Sequence, residues 1–337
     1  MHSRPVFALT QGDPAGIGPE ILVRLLTQQS SGSPWRPLLI AKRAALNALR
    51  PVLTDIPWQR LRFISRDDVE TGSWTAALDD DTITVIDPVA VDRPVHFGQP
   101  TLEDAKGALE ALKTGMSLCR RGLAQALVTA PLNKEIIARH LDPTFRGHTD
   151  YLAQAAGLET YGRDYLMAFL APRLKVALLS THLPLRQAID AVRRATVVDA
   201  LRCMQRHLPD GGGRIAVAGL NPHAGEQGLL GAEDDAELRP AILDARRLGI
   251  DAHGPESADA LFSRALNGEF DWVLSLYHDQ GLIAVKTAAF GTATNWTLGL
   301  PYLRTSVDHG TAYGIAGRGI ADIGPLQAVI ESTLRLL

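Results

Sequence analysis

Short apolar runs recur along the chain, as PVFALT, PLLIA, TITVID, QALVTA, KVALLST, RIAVAGL and DWVLSLY, and between them lie longer stretches whose apolar positions return with helical spacing. Runs of this kind predict strands buried on both faces, and their alternation with amphipathic helices predicts a parallel sheet with crossover helices. The fold class is therefore α/β. Ile189, Val192, Leu201, Met204 and Leu208 share a helical stripe over 187–208, and Leu326, Val329, Ile330 and Leu334 share another near the C-terminus. Both stripes are read as facing the core. The patch QQSSGSP at 28–34 is read as a surface loop, and no internal repeat is found.

Three of the runs lead to a histidine: KVALLST to His182, RIAVAGLNP to His223 and DWVLSLY to His278. Open parallel sheets bind ligands outside the carboxyl ends of their strands, so these imidazoles are candidates to converge although 41 and 55 residues separate them in sequence. A single histidine at a strand end is more often structural; the repetition carries the reading. Three neutral nitrogen ligands with an open fourth position describe a catalytic divalent metal site. Asp279, beside His278, reads either as a carboxylate that orients the ring or as a cap on the next turn.

Length and composition bound the possibilities. At 337 residues, with 46% hydrophobic and 21% charged, the chain is long enough for two lobes, placed at 1–134 with 300–337 and at 135–299. A formal net charge of -3 offers no basic stripe, so no nucleic acid partner is expected and a small molecule is. Only Cys119 and Cys203 occur, without a CxxC, which excludes a disulfide framework and a cysteine zinc site and fits the cytoplasm. The first apolar run is too short for a signal peptide, and no stretch reaches the ~18 apolar residues of a membrane span, so no membrane association is expected.

TQGDPAGIGPEI reads as a strand, a glycine-rich turn and a helix start. Gly12, Gly16 and Gly18 do not match GxGxxG, and the next strand ends LLIAKRAA without an acidic ribose ligand, so a standard Rossmann site is disfavoured. No GxxxxGK[ST] occurs either. The glycines serve a tight turn or the close approach of a cofactor or phosphate. A second set has anionic preference: RGHTD supplies His148 and Thr149, and Lys286, Asn295 and Arg304 follow at intervals of nine. Lysine, arginine, amide and hydroxyl groups in glycine-rich surroundings of low charge suit a phosphate better than a solvated face.

The segments GDPAGIGPE, TAPLNKEII, GHTD, STHLPLR, NPHAGEQGLLG.E, GPESADALF, YHDQGLIAVK and NWTLGLPYLRTSVDHGTAYGIAGRG, spread from about residue 8 to about residue 323, together resemble the 4-hydroxythreonine-4-phosphate dehydrogenase family of pyridoxal phosphate biosynthesis. The resemblance implies two α/β lobes similar to isocitrate and isopropylmalate dehydrogenases, with the active site in the cleft between them and NAD or NADP bound without a Rossmann fingerprint. It implies that His182, His223 and His278 hold one divalent metal (zinc, magnesium, cobalt or manganese), and that His148, Thr149, Lys286, Asn295 and Arg304 contact a small phosphorylated substrate. It also implies a homodimer with shared sites, in which His278 reaches the metal of the partner subunit.

The implied reaction is oxidation of 4-phosphooxy-L-threonine to 2-amino-3-oxo-4-phosphooxybutanoate, a β-keto acid that decarboxylates to 3-amino-2-oxopropyl phosphate on the way to pyridoxine 5'-phosphate. A metal would acidify the alcohol and stabilise the enolate oxygen. Asp259, Asp279 and Lys286 are the candidate proton acceptors; a carboxylate at a helix start often serves the dipole, and the lysine would need burial to lower its pKa. Paralogues with the same motifs oxidise threonate or erythronate 4-phosphate, and another branch an aromatic cis-dihydrodiol, against which Lys286, Asn295 and Arg304 argue. A non-catalytic two-lobed binder of a phosphorylated ligand is the rival from another class, against which the three strand-end histidines argue.

Overall fold

The computed structural model describes residues 4–29, 32–74, 81–89 and 93–337, so positions 30 and 31 of the expected loop at 28–34 lie outside it. The chain forms two compact units, one running to Leu152 and resuming at Pro301–Leu337, the other spanning Ala153–Leu300. In chain order the first unit carries β1 (Val6–Thr10), α1 (Gly18–Thr27), β2 (Arg36–Ile40), α2 (Arg43–Leu49), β3 (Leu61–Ile64), α3 (Arg66–Thr71), β4 (Ile83–Ile86), α4 (Leu102–Arg120), β5 (Ala126–Thr129), α5 (Lys134–His140) and the start of α6 (His148–Ala155). The second carries β6 (Leu166–Leu170), β7 (Lys175–Leu178), α7 (Leu185–Asp190), α8 (Arg194–His207), β8 (Ile215–Ala218), α9 (Arg239–Arg247), β9 (Ala252–Glu256), α10 (Ala258–Leu266), β10 (Trp272–Ser275), α11 (His278–Ala289) and β11 (Thr294–Leu298). The first unit then resumes with β12 (Leu303–Ser306) and α12 (Gly324–Leu336).

In the first unit the described strands lie in the order β3-β4-β2-β1-β5-β12, parallel at every step. β1, β4 and β5 are buried along their whole length, as the continuous apolar runs require. One core face joins Phe7, Leu9, Leu39, Val85 and Val128 of the sheet to Ile21 and Leu22 of α1 and to Leu326, Val329 and Ile330 of α12. The predicted C-terminal stripe is thus a core face. α4 begins with a capping box: the Asp104 amide donates to the Thr101 hydroxyl at 3.2 Å, and the Thr101 amide donates to Asp104 Oδ2 at 3.0 Å. Such a cap contributes about 1 kcal/mol and sets where the helix starts.

The second unit orders its strands β11-β6-β7-β10-β8-β9. β7, β10, β8 and β9 are parallel, but β6 runs antiparallel to both β7 and β11. The departure from an all-parallel sheet follows from a hairpin: Ala171 and Leu174 exchange backbone hydrogen bonds of 2.9 and 3.4 Å around Pro172 and Arg173, too short a connection for a crossover. Phe169, Val176, Leu178 and Val273 pack with Leu261 of α10 and Leu282 and Val285 of α11. The helical stripe expected over 187–208 breaks into α7 and α8, because Thr196 turns its hydroxyl to the Ala191 carbonyl and receives the Arg193 amide, starting a new helix.

A division near residue 135 would put α5 and α6 in the second unit. They fall largely in the first, where Ile137 and Phe145 pack against Ala105 and Leu109 of α4. Cys119 and Cys203 are both buried thiols, pushed up to about 12 and about 11 by desolvation. Among the described residues no helix is long and apolar enough to cross a membrane.

Candidate active site

The three histidines lie at the carboxyl ends of adjacent strands. His182 follows β7, His278 opens α11 after β10, and His223 follows β8, and these strands are neighbours in the order β7-β10-β8. Their ends are locked together. Gln280 accepts the Leu276 amide at 2.8 Å and donates to the Gly219 carbonyl at 2.8 Å, while the Ser180 hydroxyl donates to the Leu276 carbonyl at 2.8 Å. The His182 and His278 rings come within 5.4 Å, centre to centre. His278 Nδ1 lies 2.7 Å from Asp279 Oδ1, an arrangement that leaves Nε2 for a metal. Among the described residues of this one chain no group of three or more His, Cys, Asp or Glu side chains is placed to hold a metal ion.

His223 sits in an unusual turn. His223, Ala224, Gly225, Glu226 and Gln227 all have positive φ, from 42° to 79°, a left-handed run in which L-residues other than glycine cost roughly 1–2 kcal/mol each. A fully buried carboxylate anchors its entrance: Asp234 accepts the Leu220 amide at 2.8 Å, the Asn221 amide at 3.0 Å and Asn221 Nδ2 at 2.8 Å. Strain over-determined by surrounding hydrogen bonds is typical of functional turns. Thus NPHAGEQGLLGAED reads as a strained histidine-bearing turn followed by the aspartate that holds it.

The candidate proton acceptors fare differently. Asp259 is exposed at the start of α10, and the Ser257 hydroxyl, with smaller help from the Ala260 amide and from nearby His223, keeps its carboxyl below the usual range. Asp279 is occupied by His278. Both aspartates line a groove of about 530 Å³ between α10 and α11, with Phe262, Tyr277 and Ile283. Lys286 is exposed on α11, without the burial that a basic amine would need. Asn295 lies in β11 opposite Phe169, its Oδ1 buried and without a hydrogen-bond partner among the described residues.

In the first unit, Arg304 in β12 is 1% exposed and Thr149 at the start of α6 is 6% exposed. Burial drives the guanidinium down to about 10, so it stays charged at neutral pH. His148, next to Thr149, is held well below the ordinary histidine range, first by desolvation and then by the charge of Arg304. Its imidazole is therefore neutral at pH 7, beside a buried cation. Arg304 Nη2 donates to the Thr129 hydroxyl at 2.7 Å.

The glycine-rich turn after β1 is buried throughout and built for its own chain. A Cβ on Gly12, whose φ is +67°, would lie 2.0 Å from the Pro131 carbonyl oxygen, and one on Gly18 would lie 1.9 Å from that of Gln11. At Gly16 the nearest atom would be the Thr311 carbonyl oxygen at 3.0 Å. Close approaches of the chain to itself thus exclude a side chain at Gly12 and Gly18. The same turn carries Asp13, fully buried, which receives the Tyr313 hydroxyl at 2.6 Å and the Ala15 amide at 2.9 Å; desolvation nevertheless raises its carboxyl. Thr129, Asp234 and Asp13 were not singled out from the sequence. Asp13 and Asp234 have a local signal, as acidic residues within or shortly after a glycine-rich stretch.

The chain is similar to known proteins along nearly its whole length. The family model "Pyridoxal phosphate biosynthetic protein PdxA" matches residues 35–333. The chain is 39% identical to a 4-hydroxythreonine-4-phosphate dehydrogenase of Desulfosudis oleivorans, over 99% of this chain and 96% of that one. It is 40% identical to a D-threonate 4-phosphate dehydrogenase of Salmonella typhimurium, over 98% of each. The crystal structure of 4-hydroxythreonine-4-phosphate dehydrogenase from Klebsiella pneumoniae superposes with a TM-score of 0.83 at 33% identity, covering 99% of both chains. Fold, motifs and relatives thus agree on an oxidoreductase, and the chain belongs to the PdxA family.

Proposed function

We propose that the protein uses NAD or NADP and one divalent metal to oxidise the C3 alcohol of 4-phosphooxy-L-threonine, giving 2-amino-3-oxo-4-phosphooxybutanoate, which loses carbon dioxide to yield 3-amino-2-oxopropyl phosphate for pyridoxine 5'-phosphate synthesis. The observation that carries it is the row of His182, His278 and His223 at the ends of three neighbouring strands. The donor set fits a catalytic ion. Three imidazoles leave a position open for substrate, and Asp279 fixes the His278 ring with Nε2 free. When bound, zinc, magnesium, cobalt or manganese supplies a Lewis acid for the alcohol oxygen.

The remaining work belongs to the chain. His278 is supplied to the partner subunit's site in a homodimer, while His182 and His223 serve their own. Arg304 binds the phosphate as a buried, charged fork; neutral His148, Thr149, Lys286 and Asn295 complete its hydrogen bonds. Asp259, ionised near His223, flanks the metal ligands as the acceptor for the alcohol proton, while Asp279 stays committed to the His278 ring. Loss of carbon dioxide then follows from the β-keto acid itself.

The name of the Salmonella relative favours a second reading, D-threonate 4-phosphate, which differs at C2 by a hydroxyl in place of the amino group. Steady-state kcat/KM on both substrates, with each nicotinamide cofactor, tests the choice. The first reading expects 4-phosphooxy-L-threonine to lead by at least about tenfold, the ratio that roughly 1.4 kcal/mol of transition-state binding provides. A lead by D-threonate 4-phosphate reverses the assignment, and full turnover after rigorous chelation removes the metal from it.

A further inference from the structure

We propose that Thr129 is a positioning residue for phosphate recognition, its hydroxyl holding the Arg304 guanidinium at the carboxyl edge of β5 and β12. The inference rests on the reading of Arg304 as the phosphate-binding arginine. In the parallel pair of β5 and β12, Arg304 stands opposite Leu127 and Ser306 opposite Thr129. Side chains alternate between faces, so Arg304, Leu127 and Thr129 share one face. To reach Thr129 Oγ1 at 2.7 Å, the Arg304 side chain must lean forward by two residues, about 6.6 Å along the strand. That direction is toward the edge where parallel sheets meet their ligands.

Neither partner is an accident of the surface. Thr129 is 0% exposed and Arg304 1%, and a buried hydroxyl in a strand is unfavourable unless hydrogen-bonded. Threonine is also stiff at χ1, so the acceptor presents itself in a fixed direction. The guanidinium is thereby ordered before any anion arrives. A long side chain ordered in advance loses less freedom on binding, so the gain falls on affinity. Desolvation outweighs the favourable interactions of this charge, as its lowered pKa records, so an anion beside it is rewarded.

The test compares Thr129→Val, which keeps shape and removes the hydroxyl, with Thr129→Ser, which restores it. Inorganic phosphate serves as a competitive probe against the phosphorylated substrate. For Thr129→Val the inhibition constant for phosphate and the substrate KM should both rise about tenfold, the size of one charge-assisted hydrogen bond, with kcat within about twofold and the Kd for NAD unmoved. Thr129→Ser should recover most of the loss, which a packing defect would not. Should Thr129→Val fail to fold, Thr129→Ala carries the same comparison. Unchanged phosphate inhibition, or a loss in kcat and NAD affinity as large as in KM, overturns the proposal. Arg304→Ala separates the two levels: if it leaves phosphate inhibition unchanged, the assignment of Arg304 fails; if it weakens phosphate while Thr129→Val does not, only the role of Thr129 fails.

Discussion

His148 is a half-buried imidazole whose neighbour is a permanent cation, and this fixes the sign of its contribution to stability. Its pKa is lower in the folded chain than in the unfolded one, so as pH falls through the ordinary histidine value of about 6.5 the unfolded state takes up a proton that the folded state refuses. Stability is therefore fully present above that value and declines below it, by at most about 1.4 kcal/mol per pH unit from this residue. Urea midpoints of the wild type and of His148→Gln, measured without phosphate at pH 7.5 and 5.5, check this. The wild type should lose more between the two pH values. Parallel losses would mean that His148 titrates as a solvent-exposed histidine does. Asp13 has the opposite sense: its raised carboxyl contributes stability at low pH that is lost as pH rises through its folded pKa, so the two slopes meet in different ranges.

At the scale of elements, the turn at 223–227 and the buried Asp234 form one device. Asp234→Ala removes the acceptor for two partly buried backbone amides. We expect about 2–4 kcal/mol of lost stability and, on the metal reading, weaker binding of zinc or cobalt as followed by equilibrium dialysis. Metal affinity unchanged in a folded Asp234→Ala would show that the turn needs no such anchor. How much of this was legible depends on where each strand finds its burial. β7, β8 and β10 are apolar in themselves, so their ends and the histidines beyond them could be read directly. β9 reads AHGPE, β11 TNWTL and β12 LRTS; these sequences become strands because neighbours pair with them, a tertiary effect that no local pattern carries. Likewise Arg304 stands out as a charge in glycine-rich surroundings of low charge, whereas its acceptor Thr129 lies 175 residues away in a run that reads only as core.

For the whole molecule the sharpest consequence concerns the proposed sharing of sites between subunits. If each site takes His182 and His223 from one subunit and His278 from the other, His182→Ala and His278→Ala should each be inactive as pure homodimers. In a mixed dimer one site carries both defects and the other none. Equal amounts reassorted at random make half the molecules mixed, each with one good site of two, so activity should return to roughly a quarter of the wild type. Verified mixed dimers that stay inactive, while wild-type protein survives the same exchange, would mean that the three histidines lie in one chain's site or do not share a metal at all. The division of the chain also bears on this. The three histidines, with Lys286 and Asn295, belong to the unit 153–300, while Arg304, His148 and Thr149 belong to the other, so Arg304→Ala should weaken phosphate binding and leave metal binding unchanged.

The backbone at 223–227 winds with the hand of a mirror image, and glycine, which has no handedness, is the residue that adopts it freely. At the exposed Gln227, with φ at 57°, the chain carries a side chain that its own chirality opposes. Gln227→Gly should therefore stabilise the protein by up to about 1 kcal/mol, after allowing for the extra freedom glycine has when unfolded. Thermal melting of that variant measures the effect directly. A higher melting point would mean that thermostability can be gained beside His223 without touching it, and that the natural sequence is not the most stable one its fold permits.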